Sequence, residues 1–241
     1  MGTFKPTQIK PEQPRRSWRT LIQRYVLSRT PLEAQLYPPL QKPVLFRVYE
    51  PRDFETCVTI YAKNEPGRFP SGYAGKFVEY LKKDTKAFIV AECDSRVVGY
   101  GGMNLLAPNV ATLCCGIVDP EFQRQRIGAA LVLLRIAQLP SDPCGAFCLI
   151  FAVDTSMPIY RRFGFIEKTK WKMEDGKEYP LGTLHVPSFA LDRVKSGLKR
   201  RGLSIKGNLV LHPSREVSCE IQLDENGFYQ LQIKPRALPE K

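Results

Sequence analysis

The chain has 241 residues, of which 43% are hydrophobic, and this excludes general disorder because a core of useful size can be buried. No apolar run approaches the ~20 residues that cross a membrane, and the N-terminus lacks a secretory apolar segment. The formal net charge of +12 favours an anionic partner, namely nucleic acid, a membrane surface or a phosphorylated small molecule.

In chain order, residues 1–43 are predicted to be an N-terminal extension. Residues 1–16 are polar and contain three prolines, which is typical of a flexible tail. The stretch "SWRTLIQRYVLSRTP" places its apolar residues on one helical face, with arginines elsewhere. This basic amphipathic helix could lie on a membrane surface, but docking onto its own domain is the preferred interpretation.

From residue 44 to 187, predicted strands and helices alternate. "VLFRVYE" is a strand, and "PRDFETCVTIYAKNE" and "AGKFVEYLKK" are helices. Two β-rich runs meet at Asp94-Ser95, which is typical of a hairpin. The strand "VATLCCGIVDP" follows, then the apolar helix "RIGAALVLLRIAQLP", the buried strand "GAFCLIFAV", the short helix "SMPIYRRFGF" and the strand "FIEKTKWKM".

Residues 188–241 form a predicted C-terminal extension. "FALDRVKSGLKRRG" is a basic helix, and "SCEIQL" and "FYQLQI" alternate on either side of the turn sequence "DENG". The basic ends of the chain are the basis for a nucleic-acid hypothesis. Nucleic acid is nevertheless not expected as a partner, because no motif of a known nucleic-acid-binding fold appears.

Seven cysteines and two histidines bear on metal binding and redox state. No two cysteines form a CxxC pair, so neither a zinc site nor any other metal is expected. The odd number of cysteines and their position in apolar runs predict reduced, buried thiols and a cytoplasmic protein.

The stretch "DPEFQRQRIG" joins a strand to a helix and is the most informative unit. A helix N-terminus has about four backbone N–H groups without helical partners and a partial positive charge, so it attracts phosphate. Gly128 permits close approach, and Arg124 and Arg126 could add charged hydrogen bonds. A solvated basic helix start is equally consistent with this stretch alone. The nucleotide motifs GxxxxGK[ST] and GxGxxG are absent.

Two motifs together resemble the GCN5-related N-acetyltransferase (GNAT) family. "GIVDPEFQRQRIGAALV" is similar to the family's acyl-CoA turn, Gln/Arg-x-x-Gly-x-Gly/Ala, with Gln123 and Gly128 at the first and last positions. Arg126 stands where the first glycine is expected. "IYRRFGF" resembles the later Tyr-x-x-x-Gly-Phe segment, with Tyr160, Gly164 and Phe165 matching.

The resemblance implies an α/β (α+β) fold with a mixed, mostly antiparallel sheet that is flanked by helices. The two central strands, "TLCCGIVD" and "AFCLIFAV", would splay apart. The pantetheine arm of acetyl-CoA, the co-substrate, would enter the splay and pair with backbone near Gly116 to Val118, while the pyrophosphate would lie on the 123–129 turn. The implied cofactor-binding residues are Ile117, Val118, Gln123, Arg124, Gln125, Arg126, Ile127, Gly128, Ala129, Ser156 and Tyr160.

The implied reaction is direct attack of an amine on the thioester of acyl-CoA. The backbone N–H of Val118 would stabilise the oxyanion, and Tyr160 would give the leaving thiolate a proton. Glu92 and Asp154 are the candidate bases, with a water relay as the alternative. Structural roles are open too: packing for Tyr160, helix capping for Ser156 and Asp154, and cross-strand pairing for Glu92.

Two further questions stay open in the sequence. Cys114 or Cys115 could carry the acyl group, but adjacent strand residues face opposite sides and no histidine lies nearby to activate either one.

The loop from Asn64 to Gly75 is predicted to lie under the amine substrate, with Arg68, Phe69 and Tyr73 lining it. The main alternative to an enzyme is a non-catalytic member of the fold that binds acyl-CoA or a protein. A homodimer is also open.

Overall fold

The structure is a computed structural model that describes residues 30–36, 38–65, 69, 73–83, 87–172, 178–211, 217–223 and 229–235. The strands are Leu45–Val48 (β1), Phe88–Cys93 (β2), Arg96–Ala107 (β3), Val110–Val118 (β4), Ala146–Phe151 (β5), Ile166–Lys172 (β6), Glu178–Val186 (β7), Ile205–Lys206 (β8), Val217–Leu223 (β9) and Tyr229–Pro235 (β10). The α-helices are Pro31–Ala34 (α1), Phe54–Asn64 (α2), Tyr73–Lys83 (α3), Ile127–Ile136 (α4), Met157–Arg161 (α5) and Ser188–Arg200 (α6).

Eight strands form one sheet in the order β6-β7-β5-β4-β3-β2-β1-β8. Pairing is antiparallel except between β4 and β5 and between β1 and β8. The predicted mixed, mostly antiparallel sheet is therefore confirmed. The predicted hairpin at Asp94-Ser95 joins β2 to β3, and both turn residues have positive φ, at 49° and 60°, as the two-residue hairpin turn requires.

Alternation along the strands supplies both faces of the sheet with apolar side chains. In β2, Ile89 and Ala91 pack in the cluster that contains α4 and α6, whereas Phe88 and Val90 pack with α2 and α3. The continuous apolar run of β2 is thus explained by burial on two sides. The sheet lies between two helical layers, and α4 and α2 bring residues from opposite layers to the end of β4.

Three elements of the described chain were not predicted, namely α1, β7 and β8. The helix α1 is only four residues long, and it begins with a capping box in which Thr30 and Glu33 bond reciprocally. The strand β7 contains Pro180 and Gly182, which hide its alternation. Gly182 is needed there because an added Cβ would lie 2.8 Å from a side-chain atom of Ile150.

The two extensions contribute to packing where they are described. Leu32 and Leu36 share one core cluster with Leu191 of α6 and with α4, and β8 pairs with β1. The boundaries at residues 43 and 187 therefore stay predictions. The strands β9 and β10 form the predicted antiparallel pair, while "DENG" and the predicted helix of residues 17–29 lie outside the described residues. Within the described part of the chain, no helix is both long and apolar enough to span a membrane.

Candidate active site

The central strands β4 and β5 pair over only three positions and then separate. Their parallel register runs from Val110↔Phe147 to Thr112↔Leu149, and the remainder of β4, from Leu113 to Val118, continues without β5. This opening in the middle of the sheet is the splay that the resemblance implies. It leaves Gly116, on the separated part of β4, exposed.

A β-bulge in β4 lies at this opening. The register with β3 changes from Tyr100↔Ile117 to Gly102↔Cys114, so Gly101 faces two residues, Cys115 and Gly116. Cys115 has a left-handed φ of 48°. The bulge interrupts strand alternation, and for this reason the two cysteine side chains do not face opposite sides as expected. A hydrogen bond from Cys114, only partly offset by burial, lowers the pKa of Cys115, and the Tyr73 hydroxyl lies 3.7 Å from its sulfur.

The turn after β4 has an unusual backbone for its sequence. Arg124 and Arg126 both have positive φ, at 65° and 70°, in a region that glycine favours. Arg126 is the N-cap residue of α4, with no side-chain capping bond, so the first N–H groups of α4 face the turn without a side-chain cap. Gly128 and Arg124 are exposed. The turn therefore has the geometry of an anion-binding helix N-terminus.

Gly128 has open space at its Cα. An added Cβ would meet only a Val118 methyl group, at 3.6 Å, which is ordinary contact. Packing within the chain therefore does not require glycine at this position. A ligand that approaches the backbone at this point would require it.

The side chains of the other predicted cofactor-binding residues make contacts that stabilise the fold. The amide nitrogen of Gln123 donates to the Val118 carbonyl at 3.0 Å and to Asn64 Oδ1 at 3.1 Å, so its side chain ties the turn to β4 and α2. Gln125 donates to the Glu121 carbonyl at 3.3 Å. Ile127 is buried in the core, Ala129 packs against it, and Ile117 is buried on the opposite face of the sheet. The side chains of Ile117 and Ile127 are therefore unavailable to a ligand, and only their backbone groups could bind one.

The side chain of Arg126 is directed toward the N-terminal extension. Its Nη2 donates to the carbonyl and to Oε1 of Gln35, each at 3.3 Å. Burial and the nearby charges of Arg162 and Arg201 lower the pKa of Arg126. Residue 35 thus holds the guanidinium. Arg126 occupies the position where the family motif has glycine, but its side chain does not lie over the turn.

Exchanging Arg126 for glycine tests this orientation. We expect CoA affinity to change less than about threefold, and stability to change by no more than about 1 kcal/mol, since relief of the left-handed φ offsets the lost contact. Calorimetric titration and urea unfolding measure the two quantities. Gln35→Ala is the matched control, because it removes the side-chain part of the same contact and leaves the backbone carbonyl of residue 35 in place. A tenfold loss of affinity in R126G alone would mean that the guanidinium binds phosphate.

Asp119 anchors the start of the turn. Its buried carboxylate accepts from Lys63 Nζ at 2.9 Å and from Arg96 Nη2 at 3.0 Å, and its Oδ1 accepts from the Glu121 N–H. Burial alone would raise the pKa of this carboxyl group, but the hydrogen bonds from Lys63 and Glu121 prevail and lower it. Asp119 thereby joins the turn to α2 and β3.

Asp119→Asn is expected to lower the free energy of unfolding by about 1–3 kcal/mol at pH 7, because charged hydrogen bonds to a buried group are lost. A lowered folded-state pKa gives stability that is present above the unfolded value of about 3.9 and is lost as pH falls through the folded value. The deficit of D119N should therefore shrink below about pH 4. Urea unfolding at pH 7 and pH 3 measures this, with Glu121→Gln as the control. Glu121 meets the same two cations but is exposed, so its loss should cost under about 0.5 kcal/mol.

Tyr160 lies on the far side of the splay and reaches the bulge. It is on α5, packs edge-on against Phe165 with ring centroids 5.6 Å apart, and its hydroxyl would lie 3.5 Å from a Cβ added to Gly116. Burial raises the pKa of Tyr160, an effect that the charge of Arg135 opposes. The phenol is therefore protonated at neutral pH and stands beside the bulge.

The remaining predicted residues are distributed around the opening. The hydroxyl of Ser156 donates to the Val153 carbonyl at 3.0 Å and does not cap α5. Asp154 is exposed on the turn between β5 and α5. Glu92 is engaged by Arg47 at 2.8 Å, and Arg47 also bonds Asp53. This is the cross-strand pairing that was the structural alternative for Glu92.

Arg135 of the candidate site was missed by the sequence analysis, and Asn64 was predicted only as the first residue of the substrate loop. Arg135 is 1% exposed and extends from α4 to the bulge of β4. A charged residue inside the apolar run "IGAALVLLRIAQL" was the signal that could have identified it. Asn64 donates to the Val118 carbonyl, and nothing in its sequence context indicates this contact. Of the predicted substrate loop, Phe69 packs against Tyr61 at a tilt of 34°, with ring centroids 4.8 Å apart, and Arg68 is outside the described residues.

Comparisons with known proteins found similar solved structures and one family model. Solved structures similar to this chain include Ard1 from Thermoplasma volcanium, which is 16% identical with a TM-score of 0.48, over 59% of this chain and 97% of that one. PaiA N-acetyltransferase from Thermoplasma acidophilum, in complex with coenzyme A, is 16% identical with a TM-score of 0.46, over 60% and 99%. The ribosomal-protein-S18-alanine N-acetyltransferase from Escherichia coli is 19% identical with a TM-score of 0.46, over 60% and 95%.

A search of curated proteins found no match. The model of the acetyltransferase (GNAT) family matches residues 54–165, the segment that runs from α2 through the splay and the turn to the end of the Tyr160 segment. Residues 54–165, which carry the candidate site, therefore match the GNAT acetyltransferase family.

Proposed function

We propose that the protein is an acyl-CoA-dependent N-acetyltransferase that transfers an acetyl group to an amine by direct attack. The observation that carries the proposal is the arrangement of three features at one opening. These are the left-handed turn before α4, the bulge of β4 and the hydroxyl of Tyr160. The family match covers the same residues.

In the proposed complex, the backbone N–H groups of residues 126–129 bind the pyrophosphate of CoA, and exposed Arg124 adds charge. The pantetheine arm enters between β4 and β5, where the parallel pairing ends. The thioester then lies over the bulge, beside Gly116 and the Tyr160 hydroxyl. A backbone N–H at Val118 stabilises the oxyanion of the tetrahedral intermediate.

The attacking amine must be neutral and must lose a proton as the C–N bond forms. Glu92 is held by Arg47, so the proton passes to solvent water or to Asp154, which is exposed on the turn before α5. Asp154→Asn distinguishes these two routes. Equal turnover in D154N assigns the proton to water, and a loss of about 10²-fold assigns it to Asp154.

The proposal is tested by measuring acetyl-CoA binding by calorimetry, and then CoA thiol release with a panel of primary amines, amino acids and peptides with free N-termini. Binding together with amine-dependent release, and an acetylated product of the expected mass, would support it. The second candidate is a non-catalytic acyl-CoA-binding protein, and the engagement of Glu92 by Arg47 favours it. Binding of acetyl-CoA without release for any amine is the result that this candidate predicts.

A further inference from the structure

Arg135 is a fully buried cation at the back of the candidate site. It is 1% exposed, and three hydrogen bonds hold its guanidinium. Nε donates to the Leu131 carbonyl of its own helix at 2.9 Å, and Nη1 donates to the carbonyls of Gly102, at 2.8 Å, and of Cys114, at 3.1 Å. Among the described residues, no carboxylate pairs with it. Burial of a cation without a counterion destabilises the folded state, and a functional role would explain why an arginine stands at this position.

Glycines make the space for this guanidinium. A Cβ on Gly101 would lie 2.7 Å from Arg135 Cζ, which is closer than a real Cβ can come. A Cβ on Gly116 would lie 3.1 Å from Nη2 and 3.5 Å from the Tyr160 hydroxyl. The nitrogen Nη2 and the phenol oxygen therefore approach the same point at the bulge, from α4 and α5 respectively.

The groups that surround this pair are few and mostly uncharged. The ionisable side chains that interact with Tyr160 are Arg135 of α4 and the thiols of Cys114 and Cys115 of β4, and Cys148 of β5 also interacts with Arg135. Arg135 is the positive charge among them. The electrostatic effect of this charge on its neighbours is strong, because the guanidinium is buried and little water screens it.

We propose that Arg135 is a positioning residue for Tyr160, whose buried positive charge stabilises the phenolate that Tyr160 becomes when it protonates the leaving thiolate. This inference rests on the proposed function. In the step, the C–S bond of the tetrahedral intermediate breaks and its electron pair goes to sulfur. The phenol proton moves to that sulfur and gives CoA thiol and phenolate. Solvent then reprotonates the phenolate, and the amine has released one proton.

The experiment reads the ionisation of Tyr160 directly in the full chain. Difluorotyrosine is incorporated at position 160, because fluorination makes the phenol a stronger acid and so moves its ionisation to lower pH. Fluorine NMR then follows this one residue through a pH titration. With Arg135→Gln the midpoint should rise by about one pH unit or more, since a nearby positive charge favours the phenolate. With Arg135→Lys, which keeps the charge, the midpoint should stay within about half a unit.

A purely structural role would disturb the bulge equally in both variants and leave the midpoint where it was, which would overturn the inference. If R135Q does not fold, the chain with Arg135 intact and difluorotyrosine at position 160 still decides. The ¹⁵N signal of the Arg135 guanidinium should shift at the pH where residue 160 ionises, and this step should be absent in Tyr160→Phe. No such step would overturn the inference. The titration needs neither acetyl-CoA nor an acceptor, so failure of the proposed function, seen as absence of acetyl-CoA binding, is recorded separately.

Discussion

Gly128→Glu is expected to abolish CoA binding, with a loss of at least about 100-fold in affinity. The substitution places a carboxylate at the N-terminus of α4, where the proposal puts the pyrophosphate. Repulsion between the two anions replaces the attraction of the free N–H groups. Calorimetric titration of CoA and acetyl-CoA into the variant measures the effect.

The same substitution is expected to leave the fold intact. A Cβ at position 128 meets only the Val118 methyl group at ordinary contact distance, and an acidic side chain in the first turn of a helix is favourable. Gly128→Gln is the matched control, because it has the same size without the charge. It should weaken binding less than G128E does. Unchanged affinity in G128E, with a normal unfolding curve, would remove the anion site from this turn.

Tyr160→Phe is expected to lower turnover by about 10²–10³-fold with little change in acetyl-CoA affinity. The ring of phenylalanine preserves the edge-on contact with Phe165, so the position of α5 should hold. What is lost is the hydroxyl beside Gly116, which the proposal assigns to protonation of the thiolate. Thiol release with the best amine from the panel gives kcat, and calorimetry gives the affinity.

The raised pKa of Tyr160 also gives this variant a pH signature. The wild-type phenol is protonated through the neutral range, so turnover should not fall on the alkaline side until pH exceeds the ordinary tyrosine value of about 10. In Y160F this alkaline decline should disappear. A variant that keeps wild-type turnover would show that Tyr160 only packs α5 against the sheet.

Much of the fold followed from local patterns. The hairpin at Asp94-Ser95, the apolar run of β5 and the turn signals around α4 each had a local cause, because alternation and helix-end residues depend on neighbours in sequence. The strand β7 could not be predicted from local patterns. Its Gly182 is required by packing against Ile150 and Met157, which are distant in sequence.

The candidate site could be predicted in part for the same reason. Gln123, Gly128 and Tyr160 belong to contiguous motifs, so their spacing was informative. The direction of the Arg126 side chain could not be predicted, because it depends on Gln35 in the N-terminal extension. Arg135 was hidden because its partners, Gly102 and Cys114, meet it only after the sheet forms.

The bulge in β4 shows how a local rule can fail at the candidate site. Alternation assigns Cys114 and Cys115 to opposite faces, but the left-handed φ of Cys115 turns the chain at this point. The residue with the left-handed φ is a cysteine, a type that rarely adopts this conformation, so the sequence gives no sign of it. The bulge is indicated only by two glycines, Gly116 within it and Gly101 opposite it on β3.

The central claim is that acetyl-CoA binds across the splay with its phosphates on the turn before α4. The most direct measurement is a titration of the ¹⁵N-labelled full chain with acetyl-CoA, followed by backbone amide NMR. We expect saturable shifts that are largest at residues 116–118 and 124–129, and their absence in G128E. No shift at about millimolar acetyl-CoA, which corresponds to about −4 kcal/mol of binding free energy, or shifts confined to other parts of the chain, would contradict the account.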